Sequence, residues 1–126
     1  NQVFKIYGTN YKTKDGTCIR DYIHVSDIAN IHWKVLEKIS KENISKILNC
    51  GYGKGITVHE VVKEFKKYAN KKLKVLKLPK RSGDMVKIIA DNNNLKKFIT
   101  WKPKYQKLSA IVKSCIQWEK KLTGKF

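Results

Sequence analysis

Hydrophobic positions along the chain change period several times, and each change marks a predicted element. Val3-Phe4-Lys5-Ile6-Tyr7 is β-prone with imperfect alternation, which predicts a short strand. The polar stretch from Gly8 to Gly16, with Asn10 and Asp15, predicts a turn region. Residues 19–25, Ile-Arg-Asp-Tyr-Ile-His-Val, are β-branched and aromatic again and predict a second strand. Ser26 then stands at an N-cap position with Asp27 in the first turn, and Ile28, Ile31, Val35, Leu36 and Ile39 follow at helical spacing.

The second half repeats this alternation. Ile44 to Cys50 reads as a strand that ends in Gly51-Tyr52-Gly53-Lys54-Gly55. Thr57 and Glu60 have the spacing of a capping box, in which each side chain satisfies a backbone N–H at the start of a helix, here running to about Tyr68. Leu73, Val75, Leu76 and Leu78 predict a further strand stopped by Pro79, and Asp91 with the three Asn that follow starts a short helix toward Phe98. Pro103 breaks the chain after Trp101, and a last helix carries Leu108, Ile111, Val112, Cys115 and Trp118 on one stripe. Short strands alternating with helices, without a linker, low-complexity segment or internal repeat, predict one small mixed α/β domain over residues 1–126.

Composition narrows the class. With 126 residues, 41% of them hydrophobic, the chain can build one modest core, and whole-chain disorder is excluded despite 30% charged residues. There is no apolar run of the roughly 18–20 residues that span a bilayer, which leads to no expected membrane contact. No secretory signal pattern opens the chain, and its first residue is Asn rather than Met, so a part of a longer cytoplasmic protein is expected. Cys18, Cys50 and Cys115 are odd in number and widely spaced, which argues for reduced structural thiols rather than a disulfide scaffold. His24, His32 and His59 are not clustered with them at zinc-ligand spacing, so no metal is expected.

A net charge of +18 raises the question of nucleic acid. Of the 28 basic residues only Arg20 and Arg81 are arginine; the rest are lysines spread along the chain. Readers of base edges depend on the planar arginine fork, so solvated lysine faces explain the charge better than a basic nucleic-acid-binding module, which stands as the alternative from another class.

Most candidate chemical motifs dissolve on inspection. The Gly51–Gly55 run has G-x-G-x-G spacing rather than G-x-G-x-x-G and no acidic residue on the next strand, so a tight turn is the better reading. Tyr68-Ala69-Asn70-Lys71-Lys72 has the Tyr-x-x-x-Lys form of short-chain dehydrogenases, but chance supplies such a match readily in a lysine-rich chain with six Tyr. His24 and His32 fall on different elements and read as packing or capping residues. No catalytic residue is assigned. The arginines remain. A chain that uses lysine almost everywhere keeps arginine where planar, bidentate contacts are required. Each is followed by an Asp, at Asp21 and Asp84, so the spacing supports either an anion site with adjacent carboxylates or two buried Arg–Asp salt bridges.

Asp15-Gly16-Thr17-Cys18-Ile19-Arg20-Asp21-Tyr22-Ile23-His24-Val25-Ser26-Asp27-Ile28-Ala29, with His32, resembles the signature segment of UDP-glucose 4-epimerases. Leu48 to Gly55 with Val58, Glu60 and Val61, then Lys80-Arg81-Ser82-Gly83-Asp84, Ala90-Asp91 and Trp101-Lys102-Pro103, resemble later segments in the family's order, so the likeness runs over essentially the whole chain. It implies the C-terminal substrate-binding part of an extended short-chain dehydrogenase, without the N-terminal Rossmann domain. It further implies that Arg20 and Arg81 bind the diphosphate of UDP, that Asp84 accepts a hydrogen bond from the ribose, and that Tyr22 lies beside the nucleotide. Tyr7 and the backbone of Lys5 and Ile6 would line the uracil pocket, and Ile88 would stand at a gate for N-acetylated sugars. Met85 and Val86 depart from the family, which commonly has Pro soon after the Gly-Asp.

In that family NAD takes a hydride from C4 of the hexose of UDP-glucose or UDP-galactose and returns it to the other face, using a Tyr-x-x-x-Lys pair and a Rossmann turn in the N-terminal domain. The resemblance therefore implies an NAD-dependent isomerase of cytoplasmic sugar metabolism that is homodimeric when intact. This chain alone is expected to bind no NAD, to be inactive, and to be monomeric or weakly self-associating through surface meant for the missing domain. A sister nucleotide-sugar epimerase or dehydratase is the alternative within the same class.

Overall fold

The computed structural model describes residues 3–69 and 73–123. Asn70, Lys71 and Lys72 of the Tyr-x-x-x-Lys match lie outside the described residues. The elements follow the expected alternation: β1 (Val3–Tyr7), β2 (Ile19–Arg20), α1 (Val25–Glu42), β3 (Ile56–Thr57), α2 (Val58–Tyr68), β4 (Lys74–Leu78), β5 (Lys87–Ile88), α3 (Asn93–Phe98) and α4 (Leu108–Thr123). Strand β1 pairs in parallel with β4, from Val3 opposite Lys74 to Tyr7 opposite Leu78. A second, three-stranded sheet has the order β3-β2-β5, with β2 antiparallel to β3 and parallel to β5. This is the small mixed α/β fold expected from the pattern.

Two packed groups hold it together. Ile31 of α1, Leu95 of α3 and Ile99 form one core, with Ile23, Val35, Leu48, Cys50, Phe98 and Trp101 packed against it. Burying each such aliphatic side chain stabilises the fold by about 1.5–3 kcal/mol. The other group lies between α2 and α4, where Val61 and Val62 are buried on one helix and Val112 and Ile116 on the other. Phe65 of α2 meets Phe4 of β1 with ring centroids 6.5 Å apart, which joins this group to the first sheet.

Local chemistry sets the helix starts. The capping box of α2 is complete: Thr57 Oγ1 accepts from the Glu60 N–H at 3.2 Å, and Glu60 Oε2 accepts from the Thr57 N–H at 2.9 Å. Helix α1 is capped by His24 rather than Ser26; the ring Nδ1 accepts from the Ser26 N–H at 3.0 Å. His24 thus has the capping role expected of it. Ser26 is instead the second residue of α1.

Three other expectations are corrected. Of residues 19–25 only Ile19–Arg20 is strand, because Asp21 turns away to serve another segment. Ile44 to Cys50 has no strand assignment; its Leu48 and Cys50 pack against the core while Ile47 is 98% exposed. A β-prone run needs a neighbouring edge to become a strand, and none lies alongside among the described residues. On α4 the buried stripe runs through Val112 and Ile116, and Cys115 and Trp118 are exposed. Among the described residues no helix is long and apolar enough to cross a membrane, and no group of three His, Cys, Asp or Glu could hold a metal ion.

Candidate functional site

The site is built where the second sheet meets the turn between β4 and β5. Arg20 sits on β2, the central strand, opposite Ile56 of β3 and Ile88 of β5. Its Nη1 donates to the carbonyl oxygens of Ile19 at 2.8 Å and Met85 at 2.9 Å. Two carbonyl acceptors fix the plane of the guanidinium, so Nη2 is aimed rather than free to sweep. The ammonium of a lysine could not hold that orientation.

Beyond Pro79 the chain makes a turn in which the Asp84 N–H donates to the Arg81 carbonyl at 3.3 Å. That turn folds Arg81 onto Asp84 in a bidentate pair: Nε donates to Oδ2 at 2.9 Å and Nη2 to Oδ1 at 3.1 Å. Arg20 Nη2 reaches the same carboxylate at 3.8 Å. The Arg81 guanidinium also stands over the Tyr7 ring, 4.7 Å from its centroid. Hydrogen bonding to Arg81 holds the Asp84 carboxyl below its ordinary range and, reciprocally, holds Arg81 more firmly protonated.

The two arginines, 61 positions apart in the chain, therefore meet on one carboxylate beside one aromatic ring. Of the two Arg–Asp bridges that the spacing allowed, Arg81–Asp84 forms, whereas Arg20 approaches Asp84 instead of Asp21. Ile88, on the strand next to Arg20, is 48% exposed. Tyr22 is half-buried; burial pushes its phenol up, and the charge of Arg20 reaches it and opposes that shift. Lys5 is exposed, whereas Ile6 as a whole residue is 2% exposed. Among the described residues β1 pairs with β4 alone, which leaves its second edge without a strand neighbour.

Sequence reasoning missed the two carboxylates that organise the surroundings. Asp21 accepts backbone N–H bonds from Tyr52 at 3.1 Å, Gly53 at 2.8 Å and Ala90 at 3.4 Å. A Cβ on Gly51 would come within 2.5 Å of both Asp21 Oδ2 and the Ala90 Cβ, so glycine is required there for close approach. Asp27, 2% exposed, accepts from the Tyr52 hydroxyl at 2.5 Å and from the N–H groups of Lys104 and Tyr105 at 3.0 and 2.9 Å. Burial alone would raise its pKa, but these donors outweigh burial and hold it low. Tyr52 is pushed up in turn, by burial first and by its bond to Asp27 second. The only sequence signal for these roles was the Gly51-x-Gly53 turn itself, whose N–H groups needed an acceptor from somewhere.

The same bonds decide the fate of the glycine turn. A phosphate-binding loop presents its backbone N–H groups to the ligand. Here the N–H groups of Tyr52 and Gly53 are committed to Asp21, and the Gly51 carbonyl accepts from Asn92 Nδ2 at 2.9 Å. The turn is structural and does not fit the pyrophosphate of NAD.

The NAD dependent epimerase/dehydratase family matches residues 2–51. The UDP-glucose 4-epimerase of Azospirillum brasilense is 39% identical over 117 residues, which cover 93% of this chain and 34% of that protein. The chain is similar to UDP-glucose 4-epimerases over nearly its whole length. Its fold says the same: the solved UDP-Glc/GlcNAc 4-epimerase of Campylobacter jejuni superposes with a TM-score of 0.85 at 43% identity, over 96% of this chain and 36% of that one. The Bifidobacterium longum UDP-glucose 4-epimerase, solved in complex with NAD+ and UDP, gives a TM-score of 0.84 at 32% identity, over all of this chain and 37% of that one. The chain thus spans about a third of the length of the epimerases it matches, and its mixed α/β fold is the fold of that third.

Proposed function

We propose that this chain is the C-terminal, UDP-sugar-binding part of an NAD-dependent UDP-glucose 4-epimerase, the enzyme class that interconverts UDP-glucose and UDP-galactose. The observation that carries the reading is the meeting of Arg20 and Arg81 at Asp84 beside Tyr7. Two guanidinium groups with an aromatic face and a carboxylate acceptor match the parts of UDP: diphosphate, base and ribose hydroxyls. Arg20 and Arg81 bind the diphosphate, Asp84 accepts from the ribose, and Tyr7 with the backbone of Lys5 and Ile6 lines the base, with Tyr22 alongside.

This division suits epimerisation. A hexose that must present both faces cannot be gripped hard, so affinity has to come from the UDP handle that does not react. NAD and the proton-transferring residues belong to the N-terminal Rossmann domain of the longer, homodimeric cytoplasmic enzyme. In the glycine turn here the Tyr52 and Gly53 N–H groups are engaged by Asp21 rather than offered to a pyrophosphate. The Campylobacter relative, named for both UDP-Glc and UDP-GlcNAc, favours a sugar range that includes N-acetylated sugars, with half-exposed Ile88 as the residue that would meet them.

A calorimetric titration with UDP tests the reading. The chain should bind UDP, and Arg81→Lys, which keeps the charge but loses the fork, should weaken binding by about tenfold or more. A wild-type chain that binds no UDP, or an Arg81→Lys chain that binds as well, overturns it. Interconversion of UDP-glucose and UDP-galactose by the chain alone would show that the chemistry is not confined to the other domain. Affinity for RNA that falls steeply with salt, without any response to UDP, would move the protein to the nucleic-acid class.

A further inference from the structure

Arg81 covers the groups that the UDP reading gives to the nucleoside. Its guanidinium lies 4.7 Å from the Tyr7 ring centroid and donates twice to Asp84, at 2.9 and 3.1 Å. Tyr7 is the ring assigned to the base, and Asp84 the carboxylate assigned to the ribose. Tyr7 is half-buried, so its open surface is limited, and Arg81 takes part of it. A base and a guanidinium cannot share that surface. A nucleoside can settle there only when Arg81 has left.

The two arginines differ in their freedom to leave. Arg20 is fixed on β2 by the carbonyls of Ile19 and Met85. The Arg81 side chain is 61% exposed, and its hydrogen bonds run only to Asp84, three residues on in the same turn. At the tip of that turn a Cβ on Gly83 would meet nothing within 4 Å, so the tip stands clear of the sheet. Rotation of one side chain therefore uncovers Tyr7 without disturbing a strand. Asp84 is not stranded by it, because Arg20 stays 3.8 Å away and ribose hydroxyls can donate to the vacated oxygens. What Arg81 gives up is one ion pair and one ring contact. A diphosphate replaces them with charge-assisted hydrogen bonds, whereas a neutral nucleoside offers the guanidinium nothing.

We propose that Arg81 is a specificity latch: it covers the base and ribose positions of the empty site and is released by a diphosphate, so that recognition of the nucleoside is conditional on the phosphates it carries. This rests on the UDP reading and extends it from what the site holds to what it refuses. Affinity for a ligand that needs the open form is lowered by the fraction of chains that are open. A diphosphate draws Arg81 away and so lifts that restriction for its own nucleoside.

Uridine and UDP, each titrated against wild type and Arg81→Ala, test the latch. The variant keeps Tyr7, Asp84 and Arg20, and loss of an exposed pair should leave its melting temperature close to wild type. Uridine affinity, followed by ligand-observed NMR, should rise about fivefold, the scale of one exposed ring contact together with one exposed ion pair. UDP affinity, followed by calorimetry, should fall about tenfold or more. The opposite signs are the diagnostic, because a residue that only binds phosphate leaves uridine unaffected. Uridine affinity that is unchanged or lowered in Arg81→Ala overturns the latch while the UDP reading stands. Uridine binding to neither chain also overturns it, since an uncovered Tyr7 should then have accepted the base. Failure of the wild-type chain to bind UDP overturns both readings and requires no variant to see.

Discussion

Asp27 and Asp84 are the same side chain placed in opposite circumstances. Asp27 is turned inward, where one hydroxyl and two backbone N–H groups saturate it and no cation touches it. Asp84 is turned to the edge of the sheet, where it is held by two guanidinium groups that remain partly open to solvent. The first arrangement ties α1 to the 101–105 segment through neutral dipoles and cannot be rearranged without breaking the fold. The second is made of charges on a turn and can exchange partners. Stability resides in carboxylates that bind the backbone, and recognition in a carboxylate that binds arginine.

The largest expected effect breaks the first arrangement. Asp27→Ala strands the Tyr52 hydroxyl and the N–H groups of Lys104 and Tyr105 in a buried place. At about 1–3 kcal/mol for each unsatisfied group, the loss is about 4 kcal/mol, most of the stability of a small domain. Chemical denaturation should show a chain largely unfolded at 37 °C. A variant that unfolds within about 1 kcal/mol of wild type would refute the structural role.

Asp84→Ala should do the reverse. The pair it breaks is exposed on the Arg81 side, and such pairs add little to folding. The melting temperature should stay close to wild type while the heat of UDP titration disappears. If Asp84→Ala melts early, or if it binds UDP normally, the distinction between the two carboxylates fails.

Acid sharpens the comparison next. Asp27 and Asp15 both have folded pKa values held below the ordinary carboxyl range; in each case burial pushes up and hydrogen bonds from neighbouring donors win. The Asp15 donors are the hydroxyls of Thr57 and Thr17 and the Thr17 N–H. A depressed folded pKa contributes stability that is complete above the unfolded value and is lost as pH falls through the folded one. Melting temperature should therefore hold from neutrality to about pH 5 and drop below about pH 4. Asp27→Asn should be less stable at pH 7 but decline less steeply in acid. An acid decline as steep as that of wild type would show that Asp27 does not govern it.

What could be read beforehand follows the range of the interactions. The capping box at Thr57 and Glu60, the helical stripe of α1 and the strands β1 and β4 are local patterns, and they stood in the sequence. Scarcity made Arg20 and Arg81 legible: against so many lysines, two arginines stood out. That they share Asp84 was not legible, because the 3.8 Å approach depends on β5 lying beside β2, a long-range pairing of two residues per strand. The expected strand at Ile44 to Cys50 failed for the converse reason. Its residues have the propensity, but strand formation requires a partner edge that propensity does not specify. Asp21 and Asp27 looked like a partner for Arg20 and a first-turn helix acid; the donors they serve lie 25 to 78 positions away.

The smallest expected effect concerns Ile88, where the recognition side meets the sugar. Ile88 is the register partner of Arg20 on the adjacent strand and is 48% exposed, so its side chain stands next to the arginine that is proposed to hold the diphosphate. A residue there touches what extends beyond the phosphates and has no part in holding the nucleotide. Ile88→Tyr should leave UDP affinity within about twofold of wild type while weakening UDP-N-acetylglucosamine relative to UDP-glucose by about tenfold, the scale on which pocket size discriminates. Parallel calorimetric titrations with the three ligands separate the outcomes. Should all three weaken together, Ile88 supports the Arg20 strand rather than gating the sugar, and the boundary between holding the nucleotide and sensing the sugar must be drawn elsewhere on the sheet.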